Sequence, residues 1–301
     1  MRIIITGGSG LIGRALVDSL AKDGHEVIVL SRNPAVVTNL PKGARAEKWD
    51  GQSAQGWGQW ADASTAIVNL AGATISKRWA ASQKQVIRES RLKAGRAVVE
   101  AVKAASQKPL VVVQSSAVGY YGPRGTEEID EDAGAGSDFL AGVARDWEGS
   151  TAGVDQLGVR RVIVRTGVVL SQQGGALPLM ALPVKLFVGG PLGGGKQYLP
   201  WIHLDDEVAA IRFLIETSTA KGVYNLSAPQ PVTNAEFTKI LGKVLGRPAF
   251  MPTPGFALKL VLGEMSTLVL DGQRQMPKRL LAAGFKFKFG DAASALRDIY
   301  K

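Results

Sequence analysis

The stretch RIIITGGSGLIGRALVDSL, residues 2–20, constrains this chain more than any other. Five residues of near-pure strand pattern run into Gly7, Gly8, Gly10 and Gly13, and a helical pattern follows at once. Ile12, Ala15, Leu16, Ser19 and Leu20 recur at helical spacing, and Gly24 stands where a helix would be closed. Two glycine spacings overlap, Gly7-x-x-Gly10-x-x-Gly13 and Gly8-x-Gly10-x-x-Gly13. One glycine permits a tight strand-to-helix turn, one lets the backbone approach a diphosphate, and Gly13 lets the helix pack closely on the strand. The helix N-terminus then offers unpaired N–H groups and a positive dipole end to the phosphates. Such a turn is built for a dinucleotide.

The rest of the first half supports that reading. EVIVL, TAIVNL, PLVVVQS and RRVIVR are mostly unbroken apolar runs, as parallel strands covered on both faces require. Helical patterns lie between them, over Trp79–Ala105 and Phe139–Val154. Alternation of this kind predicts an α/β fold, a Rossmann-type doubly wound parallel sheet. After Arg165 the texture changes: LSQQGGALPLMALPVKLFVGGPLGGGKQ reads as loops laid over the sheet. GVYNLSA reads as a strand, Thr233 with Glu236 as a capping box opening a helix, and residues 277–300 as helix–strand–helix. The expected division is a nucleotide-binding domain over residues 1–167, with 203–217 returning to it. A smaller C-terminal α/β substrate lobe would cover 168–301, and the cleft between lobes is the default ligand site.

Composition removes several alternatives. Zero cysteines exclude disulfides, thiolate metal sites and cysteine nucleophiles. The two histidines, His25 and His203, are far apart in sequence and match no metal-binding spacing, so no protein-built metal site is expected. No apolar run reaches the roughly 18 residues of a spanning helix, and the expectation is a cytoplasmic protein with no membrane partner. The net charge of +10 points to anionic company. Basic residues crowd Lys77–Lys108 and Arg274–Lys288, and Glu127–Asp132 is an acidic island. No nucleic-acid motif accompanies the basic runs, so an anionic small-molecule substrate is the expected partner.

The dinucleotide is chosen at the end of the second strand. A site for NAD usually places a carboxylate there to hold the ribose hydroxyl. Here VIVLSRNP offers Ser31 and Arg32, a hydroxyl and a guanidinium that suit a 2′-phosphate. NADP is the predicted cofactor.

With TGGSGLIG, VNLAGA, SSAVGYYG, VRTGVVL and PWIHLDD in this order, the chain resembles the extended short-chain dehydrogenase/reductase superfamily. Within it, the resemblance is nearest the poorly characterised epimerase family proteins, on WDG, SRLKAGRAVVEAV, DFLAGVARDWE, GGPLGGGKQYLPWIHLDD, YNLSAPQPVTNAEF and GQRQMPKRLLAAGFKF. The resemblance implies that Gly7, Gly10, Leu11, Ile12 and Gly13 underlie the pyrophosphate. Ser31 and Arg32 would meet the adenosine phosphate, with Trp49 and Asp50 near the adenine side. Leu70, Ala71 and Gly72 of NLAG would line the cofactor. Ser116 falls where the superfamily keeps a serine against the reacting oxygen, and Ser115 is its neighbour.

One departure matters more than the matches. The superfamily carries Tyr-x-x-x-Lys on the helix after that serine, the tyrosine as acid/base and the lysine lowering its pKa. Here those positions fall on Phe139 or Leu140 and on Val143 or Ala144, none of which transfers a proton. Tyr120 and Tyr121 are the substitutes within reach, and Tyr121 is the catalytic candidate beside Ser116. His203 titrates near neutrality but reads better as a buried hydrogen-bonding residue, with Asp205 or Asp206 capping the next helix. GGPLGGGK, residues 189–196, could form an anion-holding loop. Two functions follow: an NADP(H)-dependent epimerase-like oxidoreductase, or an NADP(H)-binding redox sensor or scaffold without turnover.

Overall fold

The alternation read from the sequence becomes a seven-stranded sheet in the computed structural model, which describes residues 1–301. The elements that frame the site are β1 (Arg2–Thr6), α1 (Leu11–Lys22), β2 (Glu26–Ser31), β3 (Ala44–Lys48), β4 (Ala66–Asn69), α2 (Ala81–Ala104), β5 (Val111–Ala117) and α3 (Phe139–Gly149). Strands Arg160–Thr166 and Gly222–Leu226 complete the sheet, whose order is Gly222–Leu226, Arg160–Thr166, β5, β4, β1, β2, β3. β1 pairs in parallel with both β2 and β4, β2 with β3, and β4 with β5. The order reverses direction at β1, the switch point where open α/β sheets bind ligands beyond their strand ends.

The chain divides into two compact units. The first holds residues 1–116, 142–164 and 208–223, and the second holds 117–141, 165–207 and 224–301.

In the first unit, Ile4, Ile28, Ile67 and Val112 from four neighbouring strands meet Ala94, Ala97, Val98 and Ala101 of α2. Alanine at every third or fourth position brings α2 close to the sheet. Gly95 goes further, because a Cβ there would overlap the Ser150 hydroxyl. α1 buries Leu16, Val17, Leu20 and Ala21, each large aliphatic side chain contributing roughly 1.5–3 kcal/mol. It ends as the sequence predicts, with Gly24 left-handed at φ +78° and its N–H on Ala21 O.

In the second unit, α4 (Leu177–Lys185), α5 (Asn234–Leu245) and helix Ala292–Ile299 enclose Leu177, Ala181, Trp201, Phe237, Leu241, Phe289, Ala295 and Leu296. The Thr233–Glu236 capping box opens α5 as expected, and Gly246 closes it at φ +62°.

Three local expectations change, and one strand appears that the sequence reading did not include. The helix predicted to reach Val154 stops at Gly149, where Ser150 turns its hydroxyl back onto Trp147 O, and a 3₁₀ turn covers Ala152–Leu157. β3, with the sequence ARAEK, has no apolar run; it is an edge strand held by ladder bonds and by Arg45 salt bridges to Glu26 and Glu47. The proline-rich stretch read as loops contains α4, since Pro178 lies in the first turn, where its missing N–H is no loss. The strand expected around Phe285–Lys288 is absent. Its Lys288 and Phe289 N–H groups donate to the Asp206 carboxylate at 2.8 and 2.9 Å, so a side chain replaces the ladder.

The charge runs also find partners. In the second unit, Glu128 pairs with Arg274, Asp130 with Lys278 and Asp132 with Arg279. The acidic island and the basic tail therefore neutralise one another. No helix is long and apolar enough to cross a membrane.

Candidate nucleotide and reaction site

The glycine turn of the first unit is shaped by contacts that admit no side chain. Gly7 is left-handed, at φ +69°, and a Cβ there would lie 2.8 Å from the Leu70 carbonyl. A Cβ on Gly8 would lie 2.7 Å from Val29 Cγ1. One on Gly13 would overlap the Gly7 carbonyl oxygen and stand 2.6 Å from Gly8 Cα. Gly10 precedes α1 with no side-chain cap, and its own N–H closes the turn onto Gly7 O at 3.0 Å. The first backbone bond into α1 runs from Arg14 N–H to Gly10 O at 2.9 Å. The N–H groups of Leu11, Ile12 and Gly13 therefore stand ahead of the helix ladder. No acidic side chain occupies the first turn to oppose an anion. Bare amides, a positive helix end and close backbone approach fit a diphosphate.

Beneath that turn a buried polar ladder fixes the floor. Thr6 donates to Asn69 at 2.6 Å, Asn69 donates to Gln114 at 2.8 Å, and Gln114 donates to Ser115 O at 2.6 Å. Thr6 also accepts from Ala71 N–H at 3.2 Å. The ladder crosses the C-terminal ends of β1, β4 and β5 and holds Leu70–Ala71 against Gly7. Sequence reasoning passed over Thr6 and Gln114. Their signal was a polar residue at the end of an otherwise apolar strand, where burial demands a partner.

At the end of β2, Ser31 accepts from Asn33 N–H at 3.2 Å, and Arg32 is exposed with no carboxylate partner. Lys48 of β3 lies opposite Ser31 in register and reaches Arg32 O at 2.5 Å. It adds a second cation that the sequence reading missed, because nothing in ARAEK marks it as a strand lying beside β2. Trp49 is buried, with its indole donating to Ser53 O at 2.8 Å and its ring edge-on to Trp57. It builds the wall rather than an exposed face. Asp50 accepts from Gln52 N–H, Ser53 N–H and the Ser53 hydroxyl. Its partial burial raises the carboxyl pKa, but these bonds outweigh that and leave it lowered. The carboxylate organises its own loop.

Ser116, at the end of β5, is buried and donates to Glu148 Oε1 at 2.7 Å. Glu148 lies on α3, four residues beyond Ala144 and eight beyond Leu140. Those spacings put it on the helix face where the superfamily's lysine and tyrosine would stand. The structure thus places a carboxylate, one turn further on, against the candidate serine. A glutamate so far from the expected motif carried no signal by spacing.

Tyr121 belongs to the second unit and is fully buried. Its hydroxyl donates to Asn225 Oδ1 at 2.7 Å and accepts from Arg165 Nη1 at 3.0 Å. Burial raises its pKa, with Arg165 opposing. Both the proton and a lone pair are committed, so the phenol serves as a hub joining Arg165 to Asn225, and Tyr120 covers the same guanidinium at 3.4 Å.

His203 is buried, as expected, but it is the cap itself: its Nδ1 accepts from Asp205 N–H at 3.0 Å. Asp205 pairs with Lys288, and Asp206 takes the two backbone bonds described above. Burial lowers the His203 pKa, with Asp205 opposing. In residues 189–196 the N–H groups of Leu192, Gly193 and Gly195 donate to Asn234, Thr253 and Leu192 O. The loop is held by its neighbours and does not present these amides to an anion.

The sheet order and the glycine turn define a Rossmann-type nucleotide-binding protein. Residues 3–227 match the NAD dependent epimerase/dehydratase family, and the chain belongs to it. Residues 253–299 match a domain of unknown function, DUF1731. The chain is 41% identical to the epimerase family protein SDR39U1 homolog, chloroplastic, of Arabidopsis thaliana, over 99% of this chain and 86% of that one. It is 38% identical to epimerase family protein YfhF of Bacillus subtilis, over 99% and 98% of the two chains. The crystal structure of human epimerase family protein SDR39U1 with NADPH superposes with a TM-score of 0.88 at 36% identity, covering 100% of this chain and 99% of that one.

Proposed function

We propose that this chain binds NADP(H) and acts as an epimerase-like oxidoreductase on a carbonyl or hydroxyl of a small anionic substrate. Residues 1–167 with 203–217 would hold the nucleotide, and residues 168–301 the substrate. The observation that carries the reading is the turn at Gly7–Gly13, where three amides stand bare over a floor closed to any side chain. The solved human relative with NADPH supports the choice of dinucleotide. So do Ser31, Arg32 and Lys48, a hydroxyl and two cations gathered where β2 and β3 end.

When bound, the nicotinamide supplies hydride transfer; the protein's part is position and the proton. Ser116 directs its only proton to Glu148, which leaves its oxygen to accept from a substrate hydroxyl. As the alcohol is oxidised, its proton passes to Ser116 while the serine's own proton passes to Glu148. The reverse transfers accompany reduction. This pair stands where tyrosine and lysine are missing, and Tyr121, enclosed by Asn225 and Arg165, is left to structure.

Calorimetric titration with NADPH and NADH tests the binding step. Arg32→Asp is expected to weaken NADPH by about tenfold to a hundredfold while leaving NADH nearly untouched. Equal losses for both nucleotides would show that the extra phosphate is held elsewhere. Ser116→Ala is expected to abolish cofactor oxidation across a panel of carbonyl and sugar-nucleotide compounds without changing NADPH affinity.

One observation favours a second reading, an NADP(H) sensor or scaffold without turnover. Phe139, Leu140, Val143 and Ala144 fill the tyrosine and lysine positions with hydrocarbon. Tight NADPH binding with no oxidation across the panel supports it.

A further inference from the structure

Arg91 is the most anomalous charge in the first unit. It projects from α2 into a half-buried position, and burial alone pulls its pKa down to about 10. No carboxylate answers it. Its Nη1 donates to the carbonyls of Ala73 and Ile87 at 3.1 and 2.9 Å, and the guanidinium lies over the Trp147 ring at 4.8 Å. Its Nε and Nη2 make no protein hydrogen bond. A guanidinium in such surroundings ordinarily holds an acid, since a buried charge without a counter-charge is costly.

The surroundings identify the missing anion. A Cβ on Gly72 would lie 2.9 Å from Arg91 Cζ, so the glycine is what lets the guanidinium reach the strand end. Two residues earlier, the Leu70 carbonyl and Ala71 N–H form the floor against Gly7. Arg91 thus adjoins the segment on which the bare-amide turn rests.

We propose that Arg91 is an oxyanion receptor for the diphosphate of the bound dinucleotide, completing from α2 the charge neutralisation that the amides of Leu11–Gly13 begin from α1. The inference rests on the dinucleotide reading above. Nη1 is anchored by two carbonyls and the guanidinium lies against the Trp147 ring, which together fix the plane of the fork. The Nε–Nη2 edge is then the one offered to two phosphate oxygens, the bidentate geometry that distinguishes arginine from lysine.

The test compares wild type, Arg91→Met and Arg91→Lys by calorimetry with NADPH and with NADH, and by thermal melting without nucleotide. The diphosphate is common to both nucleotides. Arg91→Met is therefore expected to weaken both by the same factor, about tenfold or more, with Arg91→Lys between it and wild type. Because the charge is unpaired in the free protein, the melting temperature without nucleotide should hold or rise in Arg91→Met. Unchanged affinity for both nucleotides overturns the proposal while leaving the dinucleotide reading intact. A loss confined to NADPH overturns it too, by pointing to the adenosine phosphate. A fall in the nucleotide-free melting temperature of Arg91→Met assigns the residue to structure and overturns it. Failure of wild type to bind either nucleotide overturns the underlying reading itself.

Discussion

Replacing Gly13 by alanine is expected to abolish pyridine-nucleotide binding and to destabilise the protein by about 3 kcal/mol. The added methyl has no flexible neighbour to displace. It meets the Gly7 carbonyl oxygen, Gly8 Cα at 2.6 Å and the Gly8 carbonyl carbon at 2.9 Å, all backbone atoms of the turn. Relief requires α1 to lift away from β1, which strips contact from Leu16, Val17 and Leu20 and moves the bare amides of Leu11–Gly13 off their common target. Function and stability fail together because one close approach serves both. Thermal melting should fall by roughly 6 °C or more, with no heat on NADPH titration. Gly24→Ala is the control. That glycine is also left-handed, at φ +78°, but a Cβ there meets nothing within 4 Å. It should lose roughly 1–2 kcal/mol through backbone strain and bind NADPH as wild type does. Full nucleotide affinity in Gly13→Ala would disprove the part assigned to this turn.

The contrast between these two glycines shows which parts of the fold were legible. β1, β2, β4, β5 and strand Arg160–Thr166 could be read from apolar runs because strands covered on both faces need unbroken hydrocarbon. β3 could not, because an edge strand of alternating charge owes its existence to partners distant in sequence. α4 was hidden by prolines whose positions in the helix, rather than their number, decide what they break. The strand expected near Phe285 failed for another long-range reason: Asp206, about eighty residues earlier, supplies the acceptors that a ladder would have supplied.

The site divides in the same way. Gly7, Gly10 and Gly13 were legible because backbone conformation and close approach select glycine locally. Ser31 and Arg32 could be placed as candidates because one ends β2 and the other directly follows it. Glu148 and Arg91 could not. Each lies among other charged residues on its helix, and only packing shows that one carboxylate turns inward to Ser116 and one guanidinium to Gly72. Arg88, three residues before Arg91, does pair with Asp146 at the surface, so neighbours in one basic run have opposite fates. The Glu127–Asp132 island and the Arg274–Lys288 run stand far apart in sequence, yet three ion pairs join them. Net charge is a property of the sequence, but its distribution belongs to the fold.

Glu207 carries the other large effect, and it concerns pH. One carboxyl oxygen accepts from Thr166 Oγ1 at 2.8 Å, the other has no partner, and the side chain is sealed from solvent. Burial pushes its pKa from an ordinary 4.5 up to about 8, with the Thr166 bond opposing. Below about pH 4.5 the folded and unfolded chains both hold this proton, and the stabilisation is fully present. Between 4.5 and about 8 the unfolded chain releases the proton while the folded chain keeps it, so stability falls as pH rises through the window. At about 1.4 kcal/mol for each pH unit the loss reaches several kcal/mol by pH 8. Glu207→Gln keeps the shape and the Thr166 bond but has nothing to ionise. Urea unfolding from pH 5 to 8.5 should therefore show wild type losing stability relative to the variant as pH rises, with the variant the more stable protein at pH 8. Other titrating groups, including His203 and Asp206, are common to both proteins and cancel in the difference. Parallel profiles across the range would mean that water or a cation reaches Glu207 in the folded chain. A rising wild-type advantage would mean that the carboxylate is ionised there and held by a positive partner.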